Sequence, residues 1–176
     1  MRKAALAVAA LSLVATAPLA AQSGLVFGGN GGLGMPVGDA GDGLKTGWGG
    51  GVTLMMRNPE SSVGWGIEAQ FNRLGYEDIL GVDPDANLNT YGAMARLEFS
   101  TGSSLYLLGG AGLFRSEVTT GDDSPDFGDT NNTDFAVQGG LGLNFGRGFF
   151  VEGKFVNVFT ENQSTQLVPI VVGIRF

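Results

Sequence analysis

The 176-residue sequence predicts an all-β fold, an eight-stranded antiparallel up-and-down transmembrane β-barrel. Three observations predict it. Apolar residues alternate with small or polar ones in eight segments. The connections between those segments alternate in length. Aromatic residues on two neighbouring segments recur at a spacing that matches the apolar band of a membrane.

Residues 1–21 precede the alternating pattern. Arg2 and Lys3 lead into an apolar run from Ala4 to Ala15, and Leu19-Ala20-Ala21 supplies small-residue punctuation before Gln22. That is the pattern of a secretory signal peptide cleaved after Ala21. The run, about 12 residues, is too short to cross a core of about 30 Å as a helix. The expected organisation is a signal peptide over 1–21 and a β-barrel domain over 22–176. Removing the leader leaves eight basic and seventeen acidic residues, a net charge of −9.

The first segment carries Leu25, Phe27, Leu33 and Met35 at odd positions with glycine between them; the second carries Trp48, Val52, Leu54 and Met56 at even positions. In the third, Val63, Trp65, Ile67, Ala69 and Phe71 alternate with Gly64, Gly66, Glu68, Gln70 and Asn72. The fourth sets Tyr91, Ala93, Ala95, Leu97 and Phe99 against Gly92, Met94, Arg96 and Glu98. The fifth, residues 104–116, is apolar on both faces, so its parity stays open. The sixth places Phe135, Val137, Leu141, Leu143 and Phe145 on one face. The seventh places Phe149, Val151, Phe155 and Phe159 opposite Glu152 and Lys154, and the eighth aligns Val168, Ile170, Val172, Ile174 and Phe176.

Connections 58–62, 101–103 and 146–148 are short, whereas 36–46, 77–89, 118–132 and 161–166 are longer and polar. In outer-membrane barrels the short turns are periplasmic and the long loops extracellular. Phe135 and Phe145 lie ten residues apart on one face, as do Phe149 and Phe159. Ten residues at about 3.3 Å, tilted by about 40°, span roughly 25 Å, the height of the band between two aromatic girdles. The opposite face carries Glu68, Arg96, Glu98, Glu152, Lys154 and Arg175. Charges there are natural in a polar lumen and costly in lipid, which separates this pattern from a soluble barrel with an apolar interior.

Composition closes several functions. With no His and no Cys, histidine-dependent hydrolysis, thiol nucleophiles and cysteine zinc sites are absent. An acidic chain with ten Lys and Arg lacks the basic face that nucleic acid requires. Neither a cofactor nor a metal site is expected: Asp83-Pro84-Asp85 resembles the opening of a calcium loop, but no Gly and no closing Glu follow at the required positions.

The sequence resembles the small eight-stranded outer-membrane barrels of Gram-negative bacteria, of the OmpA transmembrane-domain and OmpX/Ail type. The leader, the eight alternating segments, the loop asymmetry and a last strand, Leu167–Phe176, ending in an aromatic residue carry the resemblance. It implies outer-membrane localisation in contact with lipid and lipopolysaccharide, and a barrel-assembly machinery that reads the terminal strand through Ile174 and Phe176. The upstream glycine of that signal departs from the pattern, falling at Gly173.

Three groups of residues are candidates for function. Glu68, Arg96, Glu98, Glu152 and Lys154 project inward and are expected to form a salt-bridged plug, since an eight-stranded barrel is just wide enough for its own side chains. Asp83, Asp85, Asp122, Asp123, Asp126 and Asp129 make the two longest loops acidic and mark them as contact sites for an extracellular ligand. Trp48, Trp65, Tyr76, Tyr91, Phe99, Tyr106, Phe149 and Phe176 are expected to form the interfacial girdles. The expected role is that of a monomeric, non-catalytic anchor whose loops meet a partner, as an adhesin does. A narrow pore or small-solute transporter, and a soluble periplasmic ligand-binding barrel, are the alternatives.

Overall fold

The computed structural model describes residues 24–77, 86–102, 104–120, 132–160 and 164–176. The expected signal peptide lies outside the described residues. Eight strands follow in order: β1 (Leu25–Val37), β2 (Gly47–Arg57), β3 (Val63–Gly75), β4 (Ala86–Ser100), β5 (Leu105–Thr120), β6 (Asn132–Phe145), β7 (Phe149–Phe159) and β8 (Ser164–Arg175). Each pairs antiparallel with the next, and β8 closes on β1 through pairs such as Gly28↔Arg175 and Val37↔Gln166. Closure gives both sides of every strand a partner, the condition for a sheet to exist in lipid.

The alternation sorts side chains between two environments. Trp65, Ile67, Leu97, Leu113, Leu141 and Val172 point outward, and Ile67 is 62% exposed in mid-strand. Such a belt is stable only against lipid. Aromatic pairs mark its edges. Phe135 stacks on Phe159 at 6.1 Å near the long-loop end, and Phe145 stacks on Phe149 at 6.4 Å near the short turns.

The open parity of the fifth segment is decided by its register with β4. Gly92↔Phe114 and Glu98↔Leu108 place the even residues of β5 inside. Tyr106 is consequently 2% exposed and belongs to the lumen, which corrects its placement in a girdle. Tyr76 is also corrected: it is half-buried, bridges to Leu44 and packs on the core.

Strand ends also differ from the periodic segments. β4 begins at Ala86 rather than Tyr91, and β5 runs on to Thr120. Above the lipid there is no apolar solvent to impose alternation, so polar residues such as Asn87, Asn89 and Thr119 continue the ladder through backbone pairing. The expected loop 36–46 contains a 3-10 turn, Gly38–Asp42, followed by a buried Leu44. Within β8, Pro169 has no N–H, and the β7–β8 ladder passes from Gly153↔Ile170 to Val156↔Leu167 without pairs between.

Three large aromatics fill much of the lumen, and each has glycine as its cross-strand partner: Phe114 opposite Gly92, Tyr106 opposite Gly142, and Phe150 opposite Gly173. A Cβ at any of these glycines would penetrate the facing ring. On the lipid side the situation is reversed, for a Cβ at Gly139 meets nothing within 4 Å. Gly142→Ala is therefore expected to destabilise the barrel by about 1–3 kcal/mol through overpacking, and Gly139→Ala by less than about 0.5 kcal/mol. Urea unfolding in phospholipid vesicles checks the contrast. Equal midpoints for the two variants would refute it.

Candidate functional site: a two-level lumen

The interior divides by chemistry along the barrel axis. Residues near the long-loop ends of the strands are mostly apolar: Leu44, Leu74, Phe114, Ala136, Val158 and Leu167 form a buried cluster completed by Met94 and Val156, and the buried polar pair Asn72 and Thr90 at that end is hydrogen-bonded to itself at 3.3 Å. Residues near the short-turn ends are charged. Glu68, Arg96, Glu98, Glu152 and Lys154, contributed by β3, β4 and β7, are all buried.

Arg96 is the hub of the polar level. Its guanidinium donates from Nη1 to Glu68 at 2.9 Å and to Glu152 at 3.2 Å, and from Nε to Glu98 at 2.9 Å. A planar fork with five N–H donors suits three carboxylates approaching from different strands. Glu68 also accepts from Lys154 and, at 2.8 Å, from Gln138. Gln138 in turn accepts from Gln70 at 3.3 Å, which links the charges to the apolar level through amides.

The structure adds partners beyond the five charges anticipated. Arg57 on β2 pairs with Glu98. Tyr106 on β5 donates to Glu152 at 2.6 Å. Arg175 on β8 donates to Glu98 at 2.8 Å, to Glu152 at 2.9 Å and to Tyr106 at 3.0 Å. Its guanidinium lies between two rings, 4.7 Å from the centroid of Tyr106 and 4.4 Å from that of Phe150. Both rings occupy the space left by Gly142 and Gly173, so the glycine pairs position the cation. The network thus draws on β2 through β8. Arg175 already stands among the charges expected on the inner face, and parity was the available signal for Arg57 and Gln138, whereas Tyr106 required the register.

The remaining candidates lie elsewhere. Ile174 and Phe176 lie on the outward face at the short-turn end, where Phe176 also exchanges backbone hydrogen bonds with Phe27 on β1. Asp83, Asp85, Asp122, Asp123, Asp126 and Asp129 are outside the described residues. Among the described residues no group of three or more acidic side chains is arranged to hold a metal ion.

A closed antiparallel barrel is the fold on which the comparisons with known proteins converge. The model of the outer membrane protein beta-barrel domain family matches residues 6–176. The chain belongs to that family. Its place is the bacterial outer membrane. Among solved structures it is similar to the N-terminal β-barrel domain of Pseudomonas aeruginosa OprF, with a TM-score of 0.60, 17% identity, and coverage of 88% of this chain and 98% of that one. Yersinia pestis Ail gives a TM-score of 0.58 at 18% identity, covering 88% and 99%. The Neisserial surface protein NspA gives 0.55 at 15% identity, covering 87% and 96%. At such identities these likenesses speak for the fold. No curated protein sequence matches the chain.

Proposed function

We propose that this outer-membrane barrel is a closed, non-catalytic anchor that displays its long loops to a partner outside the cell. The observation that carries this reading is the filling of the lumen at both levels. Water and ions entering from the loop side would meet Leu74, Phe114 and Leu167, and from the other side a network in which every carboxylate already has cationic partners. A conducting pore needs unpaired groups lining water instead. The belt provides a rigid scaffold, and loops on such scaffolds are where recognition resides.

Charge narrows the class of partner. Ail has been crystallised in complex with the heparin analogue sucrose octasulfate. The loops of this chain are acidic at Asp83, Asp85, Asp122, Asp123, Asp126 and Asp129, and would repel such a polysulfate. They fit a basic protein surface, in the manner of an adhesin. The barrel works as a monomer in this reading, and β8, with Ile174 and Phe176 outward, presents the terminal strand to the assembly machinery. Deletion of residues 121–131 is expected to leave membrane insertion and the heat-dependent gel shift intact, because the β4–β5 and β5–β6 ladders do not depend on that segment. Planar-bilayer recordings of the intact protein are expected to show no conductance steps. Loss of insertion on deletion would refute the anchor, and discrete steps would refute the closed lumen.

A further inference from the structure

The lumen network is unbalanced in charge. Among the described residues it joins four cations, Arg57, Arg96, Lys154 and Arg175, to three carboxylates, Glu68, Glu98 and Glu152. In the centre Glu68 is matched by Lys154 and Glu152 by Arg96, which leaves Glu98 to serve both Arg57 and Arg175 at the short-turn end. Arg175 reaches Glu152 as well, but shares it with Arg96. Asp134, also at an inward position, stands opposite Phe114 at the far end of the barrel. The surplus cation therefore sits at the short-turn mouth. Arg175 carries the mark of it: its side chain is 7% exposed, yet its Nε–H has no hydrogen-bond partner. A buried cation lacking its full set of acceptors is costly.

Two adjoining cavities open at that mouth. One, of about 210 Å³, is polar, with Arg57, Asn58, Ser62 and Ser100 in its wall. The other, of about 470 Å³, sets Arg57 and Arg175 against the apolar side chains of Leu25, Val26, Pro59 and Phe176. Arg57, Pro59 and Asn144 line both, so the two are compartments of one mouth. The larger lies within the range of small-ligand sites, about 300–1,000 Å³. Asn58 accepts from the Glu60 N–H at 3.0 Å, which leaves its NH2 to donate into the polar compartment. The backbone oxygen of Phe176 is held by the Phe27 N–H at 3.2 Å, and among the described residues it forms no ion pair with either arginine. Arg57 and Arg175 already reach one common carboxylate, Glu98, so their guanidinium groups stand close enough to share another.

We propose that this mouth is a binding site for a short peptide ending in a free carboxylate on an apolar residue, the carboxylate bridging Arg57 and Arg175. The ligand's carboxylate is the fourth anion of the network, accepting from the Arg175 Nε–H and from the N–H groups of Arg57 that Glu98 does not use, in charge-assisted hydrogen bonds. Its last side chain packs on Leu25, Val26 and Pro59, and its amides meet Asn58, Ser62 and Ser100. The deficit is a single charge and the wall beside it is apolar, so a bare dianion such as phosphate fits less well. Short turns face the periplasm in barrels of this kind, which sets the side from which the peptide arrives. The site is a dead end below the charge network and is independent of the long loops, so deletion of residues 121–131 leaves it unchanged.

The test places the full-length mature barrel in phosphatidylcholine nanodiscs and titrates it calorimetrically with acetyl-Ala-Val as the free acid, the same peptide as its C-terminal amide, or inorganic phosphate. Wild type is expected to bind one free-acid peptide about tenfold more tightly than the amide or phosphate. Arg57→Gln should abolish the preference for the acid while keeping the heat-dependent gel shift, because Glu98 retains Arg96 and Arg175. Ser100→Asp, which builds a carboxylate into the chain one inward position beyond Glu98, should likewise abolish binding of the acid. Wild type that does not bind the free acid, or binds acid and amide equally, would overturn the site. Phosphate bound as tightly as the peptide would overturn the peptide and leave a bare oxyanion. These wild-type arms decide the matter even where a variant does not fold.

Discussion

Arg96→Met is expected to be the most damaging single substitution in the barrel, at about 3–5 kcal/mol of stability. Arg96 is fully buried and bridges Glu68, Glu98 and Glu152 at once. Methionine fills the volume but supplies no donor, so the three carboxylates keep their desolvation cost and lose their common counter-ion. Lys154, Arg57 and Arg175 remain to pair with them, yet each already holds its own geometry with one or two of the three. Arg96→Lys should fall between wild type and Met, because a point charge cannot reach three acceptors in different directions. Converting the carboxylates as well, in an Arg96→Met/Glu68→Gln/Glu98→Gln/Glu152→Gln variant, should recover part of the loss, since buried charge is then removed in balance. Urea midpoints in phospholipid vesicles measure the series. An Arg96→Met midpoint equal to that of wild type would mean that the hub contributes geometry without stability.

How much of this was legible follows from what each residue faces. β3, β4 and β7 lie between lipid and a charged lumen over much of their length, so their two faces differ in chemistry and the alternation reads directly. β5 passes both levels of the lumen with apolar or aromatic side chains on each face, Leu107 and Leu113 outside and Tyr106, Leu108 and Phe114 inside, Leu108 even standing opposite Glu98. Both faces are therefore apolar, and parity cannot be read from composition; only the pairing with β4 sets it. Tyr106 was misplaced for that reason. The upper ends of β4 and β5 were missed for a related one, because outside the membrane a ladder is held by backbone pairing and its side chains are free to be polar. The glycine–aromatic pairs of the lumen were not legible either. Gly142 opposes Tyr106 and Gly173 opposes Phe150 through registers between separate strands, a relation that no local pattern encodes. The loop aspartates lie outside the described residues, so their function rests on charge alone.

Phe114→Ala is expected to cost a comparable 3–5 kcal/mol, roughly, and it separates the two levels of the lumen. Phe114 is fully buried, and the position opposite it is Gly92, which has no side chain to move into the vacated space. The cavity therefore persists. Moving the ring across the rung, in a Phe114→Gly/Gly92→Phe variant, restores the volume and should recover a large part of the loss, whereas Gly92→Phe alone overpacks the level and destabilises. The same variant tests which level seals the barrel. With Phe114 truncated, water entering from the loop side passes Leu74 and Leu167 but still meets Glu68, Lys154 and Arg96 joined across β3, β4 and β7, and beyond them Arg175 held between Tyr106 and Phe150. Phe114→Ala should thus be unstable and still silent in a planar bilayer. Conductance steps from this variant would assign the seal to the apolar level and leave the charge network with stability alone as its role.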